Sequence, residues 1–432
     1  MKRIIALLLC VISTLSLVAC GGGNNLPQNA ATDSGTKNLS ENRDKRLTAC
    51  FGDEVMSWSG YDEDGVNTKL TEFSIRLFEQ NIKDQEDGSG NILISPTSVI
   101  TALGMTTFGA RGETLSQMEQ MFGISRATLN AYNHQQLMNP SKELKLANSI
   151  WFTNDERLTV NEIFLLFNEE CYGTDVYETA FNDATVDAIN EWVEQNTDGM
   201  IKDILDEIPE QAVMYLINAL AFEAEWEEKY DSTQMHHSAK FTNKEGKKQE
   251  ATMMLSIENL YLEDESAKGF IKYYKDREYA FVALLPNEDV AIEDYVVNLT
   301  GEQIQNLLAN PQEIPVDVRI PQFSYEYDIE MSEILQKMGM VDAFDGNAAD
   351  FSNMAMSTQG NIWLNRVLHK TFIEVTPVGT KAGAATAVEA VDESAPFYEE
   401  MKEVHLDRPF LYMIIDCDSD TPVFIGTVNT VE

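Results

Sequence analysis

Residues 379–391 read Gly-Thr-Lys-Ala-Gly-Ala-Ala-Thr-Ala-Val-Glu-Ala-Val, a stretch of small residues that could not build a hydrophobic core of its own. In a β-strand, successive side chains point to opposite faces, so the even-numbered residues share one face. Both charges, Lys381 and Glu389, lie on the odd-numbered face. Such a strand is suited to insertion between existing strands, although the stretch taken alone is equally compatible with a flexible loop. The uncharged face consists of Thr380, Ala382, Ala384, Thr386, Val388 and Ala390.

Several blocks of sequence in the rest of the chain give this stretch its context. They are Asn91-Ile92-Leu93-Ile94-Ser95-Pro96-Thr97-Ser98, residues 102–105, 109–114, 146–148, 189–193, 197–201 and 216–219, Phe222, Trp226, His369-Lys370, and residues 407–410 and 424–426. In content and in order, these blocks resemble those of the serpins, the serine-protease-inhibitor superfamily. The resemblance runs from about Lys69 to the C-terminus, and it equates residues 379–391 with the hinge and the mobile reactive loop of that family.

The resemblance implies an α+β fold with three β-sheets, about nine helices and an exposed reactive loop. It also implies inhibition of serine proteases, and of some cysteine proteases, by suicide-substrate trapping. The target protease attacks the loop and forms a covalent acyl complex with it. The cleaved loop then inserts into the central sheet as an extra strand, and this movement distorts the protease. The expected protein is therefore a monomeric inhibitor without a catalytic residue, metal or cofactor.

The same resemblance assigns roles to particular residues. Trp226 would mark the breach, the point where the loop enters the sheet. The shutter, where the sheet must part, would be a hydrogen-bonded group consisting of Ser95, Ser98, Asn218 and His369. The hinge would consist of Gly379, Thr380, Lys381, Ala382, Gly383, Ala384, Ala385 and Thr386.

Two reactive bonds remain open. Family spacing from Gly379 places the bond at Glu393-Ser394, which would suit a protease that prefers acidic residues. Strand alternation instead ends near Val391-Asp392, where small apolar residues would suit the shallow pocket of an elastase-like enzyme. Neither the target protease nor its origin follows from the sequence.

The chain departs from the family pattern just before the hinge. Pro377 and Val378 stand where serpins usually carry acidic residues, and Gly383 interrupts an alanine run. Neither change places a charge on the inserting face, so inhibition is the favoured function. A non-inhibitory serpin acting as a carrier or a plain protease substrate is the alternative. An exported hydrolase is a third possibility, disfavoured by the lack of Gly-x-Ser-x-Gly and other nucleophile motifs.

Hydrophobic patterns predict secondary structure independently of the resemblance. Helices are predicted over 69–80, from Ser98 to Thr107 after a Ser95-Pro96 capping turn, and over 184–197. Strands are predicted over 213–222, 280–285, 410–415 and 423–428. Because helices and strands do not alternate regularly, the pattern favours an α+β fold.

The N-terminus has the pattern of an export signal. Lys2 and Arg3 precede an uncharged, mostly apolar run that would span about 21 Å as a helix, less than the roughly 30 Å hydrocarbon core. The run ends Leu-Val-Ala-Cys at Cys20, which resembles a bacterial lipobox. The expected organisation is a signal peptide over 1–19, a flexible tether over 20–46 and one serpin domain over 47–432. Lipid on Cys20 would anchor the exported protein to the bacterial envelope, periplasmic or at the cell surface.

Charge and cysteine content narrow the remaining possibilities. The chain has 71 Asp and Glu against 31 Lys and Arg, a formal net charge of −40. A surface of this sign repels phosphate backbones, which disfavours nucleic-acid binding. After Cys20, the cysteines are Cys50, Cys171 and Cys417. An odd number leaves at least one unpaired, and buried free thiols are the expectation.

Overall fold

The computed structural model describes residues 36–46, 62–85, 90–380 and 401–431. The expectations that concern Cys20, Cys50, Lys381 to Thr386 and both candidate reactive bonds fall on residues outside these ranges. Nine α-helices are complete within the described part of the chain. They are α1 (Glu63–Asp84), α2 (Pro96–Thr107), α3 (Gly112–Phe122), α4 (Arg126–Met138), α5 (Glu162–Tyr172), α6 (Asp183–Asn196), α7 (Ile292–Val297), α8 (Gly301–Ala309) and α9 (Ser332–Lys337).

The strands occupy most of the remaining described sequence. The first ten are β1 (Lys37–Asn38), β2 (Ile92–Ile94), β3 (Leu144–Thr153), β4 (Leu158–Val160), β5 (Asp175–Thr179), β6 (Met214–Phe222), β7 (Ala224–Glu225), β8 (Met235–Thr242), β9 (Lys248–Glu258) and β10 (Tyr261–Glu263). The others are β11 (Ala267–Tyr273), β12 (Tyr279–Pro286), β13 (Val316–Pro321), β14 (Phe323–Glu330), β15 (Ala355–Ser357), β16 (Leu368–Val375), β17 (Gly379–Thr380), β18 (Lys402–His405), β19 (Phe410–Asp416) and β20 (Thr421–Val428).

The start of α2 is determined by local sequence. The Ser95 side chain accepts a hydrogen bond from the Ser98 backbone N–H (3.2 Å), and Pro96 occupies the first helical position. Serine at the cap and proline at this position both favour a helix start. The predicted capping turn is confirmed, and the helix ends at Thr107 as predicted.

Three sheets and the helices around them form an α+β fold. The central sheet has two hydrogen-bonded groups of strands, in the orders β1-β5-β3-β6 and β14-β16-β17-β7. The groups belong to one sheet because β7 continues β6 after a single residue, Glu223, whose N–H still donates to Glu143 of the β3 side. The second sheet has the order β10-β11-β12-β19-β20-β2 and the third β18-β13-β9-β8. A small pair joins β4 and β15.

Two buried clusters hold the layers together. One packs α1 and α2 against the second sheet and includes Phe73, Leu103 and Met413. The other fills the space between the sheets with aromatic rings, among them Trp226 and Phe281. Burial of large apolar side chains is the main stabilising contribution to such a fold.

Residues 36–46 correct the expected extent of the tether. Instead of remaining free, they pack on the domain, where β1 pairs antiparallel with β5 at the edge of the central sheet. The Arg46 guanidinium also donates to both carboxylate oxygens of Glu169 at 2.9 Å. Glu169 is buried, so this charge needs a partner. An open sheet edge and a buried carboxylate thus bind a segment whose composition alone indicated disorder.

Candidate functional site

The hinge lies between two strands of the central sheet. In β17, Thr380 pairs with Val375 of β16 on one side and with Ala224 of β7 on the other. Both pairings are antiparallel, so β16 and β7 run parallel to each other and β17 runs opposite to both. The first two predicted hinge residues therefore already occupy the position of a central strand.

Glycine is required at position 379 by close packing. A Cβ atom at this position would lie 2.0 Å from the backbone oxygen of Ala224, a distance that no side chain tolerates. The hinge backbone can therefore pair with β7 only because residue 379 lacks a side chain. This explains the glycine at the start of the small-residue stretch.

Trp226, the residue predicted to mark the breach, donates hydrogen bonds to the residues before the hinge. Its indole Nε1–H donates to the Thr376 carbonyl (2.8 Å), and its backbone N–H donates to the Val378 carbonyl (2.9 Å). The ring is 1% exposed and stacks on Tyr274 at a centroid distance of 4.5 Å. The Tyr274 hydroxyl in turn shares a hydrogen bond with Oγ1 of Thr380, which is 2% exposed.

Below the hinge, the central sheet is open. Among the described strands, β6 and β16 are not hydrogen-bonded to each other. Beyond the end of β6, β17 pairs with β16 and with β7, the strand that continues β6. A cavity of about 610 Å³ separates them, which we call the sheet opening. Residues of both strands line it, including Met214, Leu216, Asn218, Leu368 and His369.

His369 connects one wall of the sheet opening to the start of α2. Its Nε2 accepts a hydrogen bond from the Ser95 backbone N–H (3.0 Å), so the neutral ring carries its proton on Nδ1. The Ser95 hydroxyl donates to the Val423 carbonyl (2.9 Å) as well as capping Ser98. His369 is 4% exposed, and this burial lowers its pKa to about 4 because the charged form is desolvated.

Asn218 belongs to the opposite wall and has different partners. Its amide N–H donates to Oδ1 of Asn148 (2.8 Å), and the Asn148 amide donates to the Tyr172 carbonyl (2.8 Å). The Asn218 Oδ1 atom is buried without a hydrogen-bond partner among the described residues. The structure thus groups Ser95, Ser98 and His369 on one side of the opening, while Asn218 faces it from the other side without bonding to His369.

Tyr274 and Asn148 are functional candidates that the sequence did not reveal. Tyr274 lies 106 residues from Thr380, and Asn148 lies 70 residues from Asn218. No local motif marks Tyr274, and Asn148 belongs to a block that resembles the family without a role of its own. Only the pairing of distant strands brings these side chains to the hinge and the sheet opening.

The described residues lack two other kinds of site, a metal-binding cluster and a membrane-spanning helix. They contain no group of three or more His, Cys, Asp or Glu side chains placed to hold a metal ion. None of the described helices is both long and apolar enough to cross a bilayer. Cys171 is buried and Cys417 half-buried, and neither forms a disulfide. Burial raises the pKa of the Cys417 thiol to about 12, which makes it a poor nucleophile.

Comparisons with known proteins agree with this geometry. The family model for serpins, described as serine protease inhibitors, matches residues 68–431. Serpin B3 of Homo sapiens is 32% identical over 391 residues, which cover 83% of this chain and 98% of that protein. The leukocyte elastase inhibitor of Homo sapiens is 29% identical over 388 residues, covering 84% and 99% respectively. The crystal structure of the thermophilic serpin tengpin in the native state has a TM-score of 0.82 and 41% identity, covering 91% of this chain and 99% of that one.

The chain belongs to the serpin family. Members of this family are generally protease inhibitors rather than enzymes. The fold expected from the sequence, with mixed helices and three sheets, is therefore confirmed by both the architecture and the relatives.

Proposed function

We propose that this serpin inhibits proteases by suicide-substrate trapping, with its cleaved loop inserted into the sheet opening. The observation that carries the proposal is the position of β17, which occupies the upper end of the gap between β6 and β16. Below it, both facing strand edges lie beside an open cavity instead of pairing with each other. An extended segment that adds to both edges completes the sheet by strand addition.

The register of β17 indicates what such an insertion would pair. Thr380 is opposite Val375 and Ala224, and antiparallel pairing advances one residue on each strand per step. Because β6 and β7 keep one continuous register with β3 through Glu223, the same pairing continues down the opening. Thr386 of the inserted loop would then lie opposite both His369 and Asn218. Its hydroxyl can accept from His369 Nδ1–H and donate to Asn218 Oδ1, the buried acceptor that has no partner.

The free energy of insertion is sufficient for the proposed mechanism. Roughly ten new ladder hydrogen bonds, each contributing about 0.5–1.5 kcal/mol net, supply on the order of 10 kcal/mol. The inserting face adds no unpaired charge, because its residues are small and neutral. Insertion can therefore compete with deacylation of the acyl-enzyme, which is the condition for trapping.

The reactive bond and target class extend this proposal. Glu393-Ser394 is the bond in family register, and Val391-Asp392 is the alternative for an elastase-like protease. Similarity to the leukocyte elastase inhibitor supports including elastases among the candidates. The inhibitor is further proposed to be a monomer anchored to the bacterial envelope through lipid on Cys20. Replacing Cys20 by Ser should abolish fatty-acid labelling and release the protein from membranes, and retention of both would contradict the anchoring.

A protease panel read by denaturing gel tests the inhibitory function. The intact protein is incubated with pancreatic elastase, chymotrypsin, papain and a glutamate-specific endopeptidase. We expect at least one serine protease to form a complex that survives SDS. The same protease with its active-site serine sulfonylated is the control and should form none. Cleavage of the loop by every protease without any stable complex would contradict inhibition.

A further inference from the structure

Residues 376–379 form a tight turn that folds the hinge back onto β16. The Thr376 backbone N–H donates to the Gly379 carbonyl (2.9 Å), and the Thr376 hydroxyl donates to the same oxygen (3.0 Å). Directly beyond the turn, Thr380 pairs with Val375. The turn places Pro377 at its second position, where a fixed φ near −65° favours chain reversal.

Neighbouring residues hold this turn from the other side. The Tyr230 backbone N–H donates to the Pro377 carbonyl (3.0 Å), next to the Trp226 bond to Val378. The Tyr274 hydroxyl shares a hydrogen bond with the hydroxyl of Thr380, the first side chain of the hinge in the sheet. Tyr274 is fully buried between Trp226 and the sheets, so its hydroxyl position is fixed by packing.

We propose that Pro377 and Tyr274 are positioning residues that hold the hinge as a preformed nucleus for loop insertion. This inference rests on the proposed inhibitory function and adds a cause for the speed of insertion. Adding a strand is slow at first, because the chain must reverse and enter the correct register before any new hydrogen bond forms. Here the reversal, the register and the first buried side chain are already in place, so each later residue pair adds to an existing ladder.

A restraint on the loop would have the opposite effect on the rate of insertion. A hinge bound at the top of the sheet could restrain the loop, in which case releasing it would accelerate insertion. The two effects predict opposite signs for the same substitutions. Tyr274→Phe removes only the hydroxyl, whereas Pro377→Ala frees the turn backbone without adding a charge.

Insertion can be timed without a trapped protease. The loop of the purified full chain is nicked with thermolysin, the nick is located by mass spectrometry, and the gain of resistance to urea unfolding is followed over time. We expect Tyr274→Phe to slow insertion by about two- to tenfold, the effect of one lost hydrogen bond. Pro377→Ala should slow it by about two- to fivefold, the usual effect of proline on chain freedom. Thr380→Val should match Tyr274→Phe, and the double variant should be no slower than either one.

Matched controls separate a local effect from general destabilisation. Tyr295→Phe, in α7, removes another buried hydroxyl, which donates to Asp264 (2.8 Å) between β10 and β11. Pro311→Ala removes a proline from the α8–β13 connection. Both should insert at the wild-type rate. Hydrogen exchange of the Thr376 and Thr380 amides, measured on the intact chain, should rise in Tyr274→Phe and Pro377→Ala only.

Insertion at an unchanged or faster rate in both hinge variants would overturn the inference. This outcome differs from failure of the inhibitory function, in which the wild-type chain itself traps no protease in the panel. If the wild-type chain traps a protease and the hinge variants insert at the normal rate, the inhibitory function is supported and the preformed nucleus is excluded. If the nicked wild-type chain gains no resistance to urea, both are wrong.

Discussion

The backbone N–H of Ser95 donates a hydrogen bond of 3.0 Å to Nε2 of His369, a residue 274 positions later in the chain. The bond joins the N-cap of α2 to a wall of the sheet opening. It requires an unprotonated Nε2, so protonation of His369 would break it and bury a charge. The lowered pKa, about 4, agrees with this requirement.

Stability should therefore fall as the pH falls from about 6.5 to about 4. The pKa of His369 is lower in the folded chain than in the unfolded chain, so the unfolded chain binds a proton first in this window. A pKa difference of this size lowers the free energy of unfolding by at most about 3 kcal/mol at low pH. We expect His369→Gln to lose this part of the pH dependence in urea titrations, while exposed His236→Asn keeps it. If the free energy of unfolding depended on pH equally in the His369 variant and the wild type, His369 would not be the group responsible.

Gly379→Ala should displace the hinge from the sheet. The new Cβ would lie 2.0 Å from the Ala224 oxygen, so β17 cannot keep its pairing with β7. We expect a loss of about 1–3 kcal/mol in unfolding free energy, typical of overpacking. Faster hydrogen exchange at Thr380 should accompany it. Gly90→Ala, where no atom lies within 4 Å, is the matched control and should change neither quantity.

Thr380→Glu should convert the inhibitor into a substrate. Thr380 is 2% exposed and its hydroxyl shares a hydrogen bond with the buried Tyr274 hydroxyl, so a carboxylate at this position would be desolvated. A buried unpaired charge costs several kcal/mol, which slows insertion. Deacylation of the acyl-enzyme then becomes the faster step. The measurement is the molar ratio of inhibitor needed per protease inhibited, which should rise severalfold or more. Lys381→Glu, on the other face by strand alternation, should stay near the wild-type ratio.

Thr386→Val tests the register proposed for insertion. If Thr386 bridges His369 and Asn218 in the completed sheet, its loss should lower the free energy of unfolding of the loop-cleaved form by about 1–3 kcal/mol. The proposed contacts form only on insertion, so the intact form of the variant should melt as the wild type does. An identical effect on both forms would show that the threonine acts elsewhere.

The reactive bond can be read from the peptide released by a trapped complex. We expect the C-terminal fragment to begin at Ser394 for an acidic-specific protease, or at Asp392 for an elastase-like one. Mass spectrometry of the C-terminal peptide released when the complex is denatured gives this residue directly, because that peptide is the amine leaving group and is not held by the ester. A fragment that begins outside residues 391–395 would exclude both assignments.

The sequence by itself determined the features that depend on neighbouring residues. Ser95 and Pro96 start α2 because capping involves only the first helical turn, and alternation over 379–391 defines a neutral face because strand geometry repeats every two residues. Family blocks added the architecture, and they also predict the breach at Trp226 and the hinge from Gly379.

Only the tertiary structure decided that Gly379 and Thr380 pair within the central sheet and how the shutter residues are partnered. The hydrogen bond of Thr380 to Tyr274 and that of Asn218 to Asn148 join residues 106 and 70 positions apart. Asn148 meets Asn218 because β3 and β6 pair in this register, and Tyr274 meets Thr380 because the end of β11 packs against β17. Tertiary contacts also decide the conformation of residues 36–46, whose composition indicated a free tether. The edge of β5 and the buried carboxylate of Glu169 bind them to the domain.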